Sequence, residues 1–193
     1  ELLSSKGHEV CVFSSNRIKG TLNTANTFEE LNRVKIKRFP VKFSVGENAL
    51  FWDFEDDALK FNPDVIIAHV YRHPHTNKAL KITKKLRSRG NIVKVFLVTH
   101  APFVEKKLRS WKLNLAVYFY DFLYKGNLNK FDKIIAITKW ELPYLKNLGV
   151  KEEKIIYIPN GIPEEFFKTK PKRFYGKRLL FFGRISPIKD LGT

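Results

Sequence analysis

The stretch F-D-K-I-I-A-I-T at 131–138, with the K-W-E-L-P-Y-L-K-N-L-G that follows it at 139–149, decides how the chain reads. Ile134 to Ile137 is a short run with no charge and no polar–apolar alternation. That is the pattern of a strand covered on both faces in a parallel sheet. Thr138 and Glu141 stand at capping-box spacing, and Gly149 falls where a helix over Lys139–Leu148 needs a left-handed stop. A strand that runs directly into a helix is half of a parallel crossover unit.

The same unit recurs outward in both directions. Apolar, β-branched or aromatic runs cover His8–Phe13, Asp64–Val70, Ile92–Thr99, Lys154–Ile158 and Arg178–Phe182. Helical patterns cover Asn48–Phe61, His75–Ser88 and Trp111–Lys125. Strand and helix alternating over most of the chain predict an α/β fold with a doubly wound, mostly parallel Rossmann-like sheet. Residues 1–162 are expected to form this domain. Residues 163–177, rich in Pro and charge, read as a linker, and 178–193 as the first strand and helix start of a second domain. Glu1–Lys6 reads as the last turns of a helix stopped by Gly7, so an earlier strand is expected ahead of it. The chain starts with Glu1 and has no Met, and is expected to be truncated at both ends.

Composition narrows the function classes. Hydrophobic residues make up 44% of the 193, enough for a core and too many for a disordered chain. One cysteine, Cys11, excludes a disulfide framework and a cysteine zinc site. Nothing in the first residues reads as a signal peptide, and the longest apolar run, Leu115–Tyr120, is far short of a membrane span. A cytoplasmic protein is expected, and the absence of Met and Gln points to a thermophile. The 36 Lys and Arg against 19 Asp and Glu, a net charge of +17, call for an anionic partner or surface.

In open parallel sheets, ligands bind beyond the carboxyl ends of the strands. Groups able to donate or accept hydrogen bonds recur there: His69, His100, Thr138, Asn160-Gly161 and Arg184. His69, His73 and His75 crowd together in H-V-Y-R-H-P-H. The spacing crosses Pro74 and no carboxylate is adjacent, so a polar loop is the preferred reading over a metal site. His100 ends a strongly apolar strand and is read as facing a cleft rather than as a buried structural histidine. No G-x-G-x-x-G, no P-loop and no serine nucleophile elbow occurs.

Residues 78–112 hold eleven Lys or Arg against one acid, Glu105. This is either a solvated face or a docking surface for an anionic membrane, which would make the protein peripheral on the inner membrane face. Nucleic acid is disfavoured because no aromatic residues are interleaved on the helix to stack bases. The helix over Trp111–Lys125 is nearly all apolar apart from Asn114, Asp121 and Lys125 on one side. Core burial is expected of it, with interfacial docking as the alternative.

Four stretches together resemble the family 4 retaining glycosyltransferases of the GT-B fold, also called group 1. They are S-K-G-H-E-V-C-V-F at 5–13 and P-D-V-I-I-A-H at 63–69; F-D-K-I-I-A-I-T at 131–138 with I-I-Y-I-P-N-G-I at 155–162 and the later Phe166-Phe167; and G-R-I-S-P-I-K at 183–189. Order and spacing match over nearly the whole chain. The resemblance implies two facing Rossmann-like domains, with the N-terminal one taking the acceptor and the C-terminal one the nucleotide-sugar donor. Arg184 and Lys189 match the cations that clamp the donor diphosphate, although Asp190 stands where the family often has Gly. His100 matches the cleft histidine near the transferred sugar and is the catalytic candidate. His69, Arg72, Thr138, Asn160 and Gly161 are candidates for acceptor or cleft contacts.

The implied partners are a nucleotide-sugar and a glycan, lipid-linked or small-molecule acceptor. No cofactor and no metal are expected, because two cations can neutralise the leaving diphosphate. The family's glycine-rich loop would precede Glu1 and its E-x7-E segment would follow Thr193, so this polypeptide alone is expected to be inactive. The competing reading is a non-catalytic basic module that binds an anionic membrane or nucleic acid.

Overall fold

The computed structural model describes residues 2–18, 21, 23–45, 49–103, 107 and 109–168. The expected linker beyond Lys168, the strand Arg178–Phe182, and Arg184 and Lys189 lie outside the described residues. Among the described residues the centre is a four-stranded parallel sheet of β6 (Val65–His69), β7 (Lys94–Val98), β8 (Lys133–Ala136) and β9 (Ile155–Tyr157), in that order. This is the α/β architecture the apolar runs predicted.

The register puts Ile66 beside Val95, Ala68 beside Leu97 and Leu97 beside Ile134, so these side chains share one face. Helices α3 (Pro74–Ser88) and α5 (Glu141–Asn147) cover that face. Val95, Leu97, Ile134, Ala136 and Leu145 are fully buried there, together with Leu128 and Phe131. The opposite face is only half covered: Val65 and Ile67 are 49% and 44% exposed. Burial on both faces, expected from the continuous apolar runs, therefore holds on one side of β6–β9 only. Asp132 sets the register where β8 begins, since one carboxylate oxygen accepts from the Val95 N–H and from Arg87, each at 2.7 Å.

α5 ends as the sequence predicted. Gly149 has φ +80°, its N–H donates to the Lys146 carbonyl, and the Val150 N–H donates to the Leu145 carbonyl. This pair of bonds is a Schellman stop.

The N-terminal third departs from the expectation. α1 (Leu2–Ser5) and β1 (Val10–Ser15) are present as read, but residues 28–52 hold four strands that were not foreseen. β2 (Phe28–Leu31) and β3 (Val34–Phe39) form a hairpin, and β3 runs parallel to β1. Its two-residue turn, Asn32-Arg33, has φ of 51° and 63°, the hand that matches strand twist. β4 (Val41–Val45) pairs antiparallel with β5 (Ala49–Trp52). The helix expected over Asn48–Phe61 is thus split into β5 and the shorter α2 (Glu55–Phe61). Stacking of Phe51 on Phe43 at 4.1 Å holds the first part in the ribbon. Asp53, whose carboxylate accepts from the Glu55 N–H, then turns the chain into α2.

Two surfaces also differ from expectation. α3 buries Ala79, Ile82 and Leu86 as predicted, but three of its four lysines are tied up in ion pairs. Lys78 pairs with Asp53, Lys81 and Lys85 with Glu55, and Arg87 with Asp132. The helix expected to be buried, α4 (Trp111–Tyr124), contains no buried residue. It is followed by a short 3-10 helix over Lys125–Lys130 that buries Leu128.

Ile134→Ala, at the fully buried centre of β8, is expected to lower unfolding free energy by about 2–5 kcal/mol. Val65→Ala on the open face should cost less than about 1 kcal/mol. Urea denaturation followed by circular dichroism distinguishes them, and equal costs would contradict the one-sided core.

Candidate functional site

The carboxyl ends of β6 and β7 are irregular in the same way. Val70 and Arg72 after β6 have φ of 70° and 66°, and His100 and Ala101 after β7 have φ of 56° and 50°. None is glycine, so each occupies a left-handed conformation that costs free energy in a residue with a Cβ. Such strain persists only where surrounding bonds impose it, and these bonds are identifiable. The Val70 N–H extends the ladder to the Val98 carbonyl at 2.8 Å, and Thr76 donates its hydroxyl proton to the Val70 carbonyl at 2.6 Å.

The two strand ends bring His69 and His100 together. His69 Nδ1 lies 2.8 Å from His100 Nε2, so one of these nitrogens donates a proton to the other. His75 Nε2 lies 2.8 Å from the His69 carbonyl, which only accepts, so the N–H of neutral His75 is on Nε2. The His73 ring lies tilted against His75 with ring centroids 5.2 Å apart. Burial holds His69, His73 and His75 below the ordinary imidazole value of 6.5, and the neighbouring His100 charge lowers His69 further. Among the described residues, no group of three or more His, Cys, Asp or Glu side chains is gathered as a metal site would require. The polar-loop reading of these histidines needs one addition, the contact with His100.

The loop bearing His100 is fixed by a residue that sequence reasoning took for a cap only. Glu141 is fully buried. One of its oxygens accepts from Ile137 N–H, Thr138 N–H and the Thr138 hydroxyl at 2.9–3.0 Å. The other accepts from the Thr99 hydroxyl and from Ala101 N–H, the latter at 3.1 Å. A single carboxylate therefore ties the residues on both sides of His100 to the end of β8. Thr138, a predicted cleft residue, is spent on this network.

Arg72 is also committed inward. Its guanidinium makes a two-pronged pair with Asp121 at 2.9 and 2.7 Å and donates to the Pro102 carbonyl at 3.2 Å. Tyr71 donates to the same Asp121 carboxylate at 2.9 Å. Arg72 thus anchors α4 and the loop after His100 rather than offering a free cation to a ligand. Asn160 and Gly161 follow β9 and are exposed, with no hydrogen bond to the His69–His100 pair.

Next to the histidines lies a cavity of about 210 Å³ between the β4–β5 ribbon and the start of α3, lined by Phe43, Phe51, Trp52, Asp53, His75 and Lys78 among others. Trp52 and His75 rings tilt together at 5.0 Å. Trp52 Nε1 and His75 Nδ1 are buried without a hydrogen-bond partner, one a donor and the other, in the tautomer above, an acceptor. Lys78 and the Glu55 N–H hold the Asp53 carboxyl down at about 2, so it stays charged. This cavity was not legible in the sequence, because β5, one strand of the ribbon that forms its wall, was read as helix and β4 was not foreseen.

In a parallel α/β domain the carboxyl ends of the strands are where ligands bind, and polar residues gather there in this chain. The Glycosyltransferase Family 4 sequence model matches residues 1–166, and the chain belongs to that family. No match to a curated protein was found.

Two outcomes follow from this geometry. Glu141→Ala strands several buried donors and should cost roughly 3 kcal/mol or more, read as a lowered urea midpoint; a near-neutral change would refute the bridging role. The lowered imidazoles mean that the unfolded chain takes up protons before the folded one as pH drops. Their contribution is therefore complete above 6.5 and is lost progressively below it. Thermal melts should show stability falling on acidification below that value, with a shallower slope in a His73→Asn/His75→Asn variant.

Proposed function

We propose that the chain is the acceptor-side domain of a retaining, GT-B glycosyltransferase that moves a hexose from a nucleotide-sugar to a hydroxyl of a glycan, lipid-linked or small-molecule acceptor. Membership of the family supports glycosyl transfer. The observation that carries the site is the meeting of His69 and His100 at 2.8 Å, with His75 linking that pair to the aromatic cavity. Aromatic walls suit the apolar faces of a sugar ring.

In this reading the acceptor oxygen forms the new bond to the anomeric carbon as the bond from that carbon to the diphosphate breaks. The leaving nucleoside diphosphate keeps the electron pair and takes up the acceptor proton from the same face. Arg184 and Lys189 are assigned to its charge, and His100 to the hydrogen bond that orients the reacting hydroxyl. His69 holds the His100 ring. Asn160 and Gly161 are assigned to the turn toward the donor half. No metal or resident cofactor is invoked, and residues 1–193 by themselves are expected to turn over no donor.

The test uses the longest protein that contains this sequence, assayed with a panel of nucleotide-sugars and hydroxyl acceptors. Transfer should fall about a hundredfold or more in His100→Ala, the scale on which removal of an orienting or proton-handling group acts. Turnover unchanged in His100→Ala would remove that residue from the mechanism, and no transfer from any donor would overturn the proposal.

A further inference from the structure

α4 has its amphipathicity reversed. A helix on the surface of a water-soluble domain turns its apolar stripe inward and its polar residues out. In α4 the half-buried side is polar: Asp121 is held by Arg72 and Tyr71, and the Tyr120 hydroxyl accepts from Asn77 at 2.8 Å. The outward side carries Trp111, Leu115, Tyr118, Phe119, Phe122 and Leu123, all exposed. Trp111, Phe122 and Leu123 reach 71%, 67% and 65%. Polar bonds hold the helix to the domain, and its apolar side is left without cover among the described residues.

Charge indicates what covers it. Residues 107–130 contain Lys107, Arg109, Lys112, Lys125 and Lys130 against one acid, Asp121. Asp121 is already neutralised by Arg72, so the exposed charges along the helix and at its C-terminal end are Lys112, Lys125 and Lys130. A second copy of the chain would bring these cations against their like. An anionic surface complements them, and each Lys or Arg near such a surface contributes about 1 kcal/mol.

Length fixes the orientation. At 1.5 Å per residue, a helix of 14 residues is about 21 Å long, too short for a hydrocarbon core of about 30 Å, so it lies flat. Trp and Tyr mixed with Phe and Leu are the residues that favour the headgroup boundary.

We propose that α4 docks flat on an anionic lipid bilayer, with Trp111, Phe119, Phe122 and Leu123 inserted below the headgroups and Lys112, Lys125 and Lys130 on the lipid phosphates. The surface is α4 rather than the basic face of α3, where Lys78, Lys81 and Lys85 are paired within the domain and no apolar side is exposed beside them. Docking is independent of the transfer reaction, and the two stand or fall separately.

Vesicle flotation with the full chain tests this. Binding is expected to vesicles of mixed phosphatidylglycerol and phosphatidylcholine, at least tenfold weaker to phosphatidylcholine alone, and weakening with salt. Phe122→Ser/Leu123→Ser should reduce binding at least tenfold with an unchanged circular dichroism melt, because both side chains are exposed. Quenching of tryptophan emission by acyl-brominated lipid, present in the native chain and reduced in Trp111→Phe, is a second readout that needs no polar variant. The proposal is overturned by no binding to anionic vesicles, by equal binding of the double variant, or by a concentration-dependent dimer in light scattering that Phe122→Ser/Leu123→Ser abolishes while vesicle binding is absent.

Discussion

One buried carboxylate, Glu141, determines the shape of the strand-end region. It accepts hydrogen bonds from Thr99 and Ala101 on one side and from Ile137 and Thr138 on the other. A carboxylate with no exposed surface is tolerated only when its oxygens are fully engaged, and here they are. The backbone must bring its donors to Glu141, and residues 100 and 101 do so in left-handed conformations. The direction of the His100 ring, and with it the contact to His69, follows from that constraint.

A second polar anchor organises the opposite flank. Arg72 and Tyr71, immediately beyond β6, converge on Asp121 and fix α4 to the domain by its polar stripe. Burial raises the hydroxyl pKa of Tyr71, and the nearby Asp121 charge adds to that, so the phenol stays a donor. The two anchors share the segment that follows β6 and β7. One places the histidines, and the other decides which side of α4 meets the surroundings. The histidine pair and the open side of α4 are thereby held by neighbouring anchors.

Much of the fold was legible because parallel strands with a buried face write themselves as short uncharged runs, as in Ile134–Ile137 and Val65–Ala68. Helix stops were legible for a similar reason, since Gly149 can adopt φ +80° at little cost. The hairpins were not. V-K-I-K at 34–37 alternates with period two, and that signal could have revealed the start of β3, but its turn is Asn-Arg rather than the usual Asn-Gly. A-L-F-W at 49–52 is too short and apolar to separate strand from helix without its partner Phe43. α4 misled because apolar composition was taken to mean burial, whereas the spacing of Asn114 and Asp121 marked the inner side. The pairing of His69 with His100 joins residues 31 apart, and no local pattern encodes it.

The central claim is that β6 and β7 deliver His69 and His100 into one hydrogen-bonded unit. Imidazole NMR across a pH titration tests it most directly, on the native chain and on His100→Asn. Because the His100 charge helps to hold the His69 value down, the account predicts that the His69 midpoint rises in the variant and its ring resonances shift. A His69 titration identical in the two proteins would contradict it.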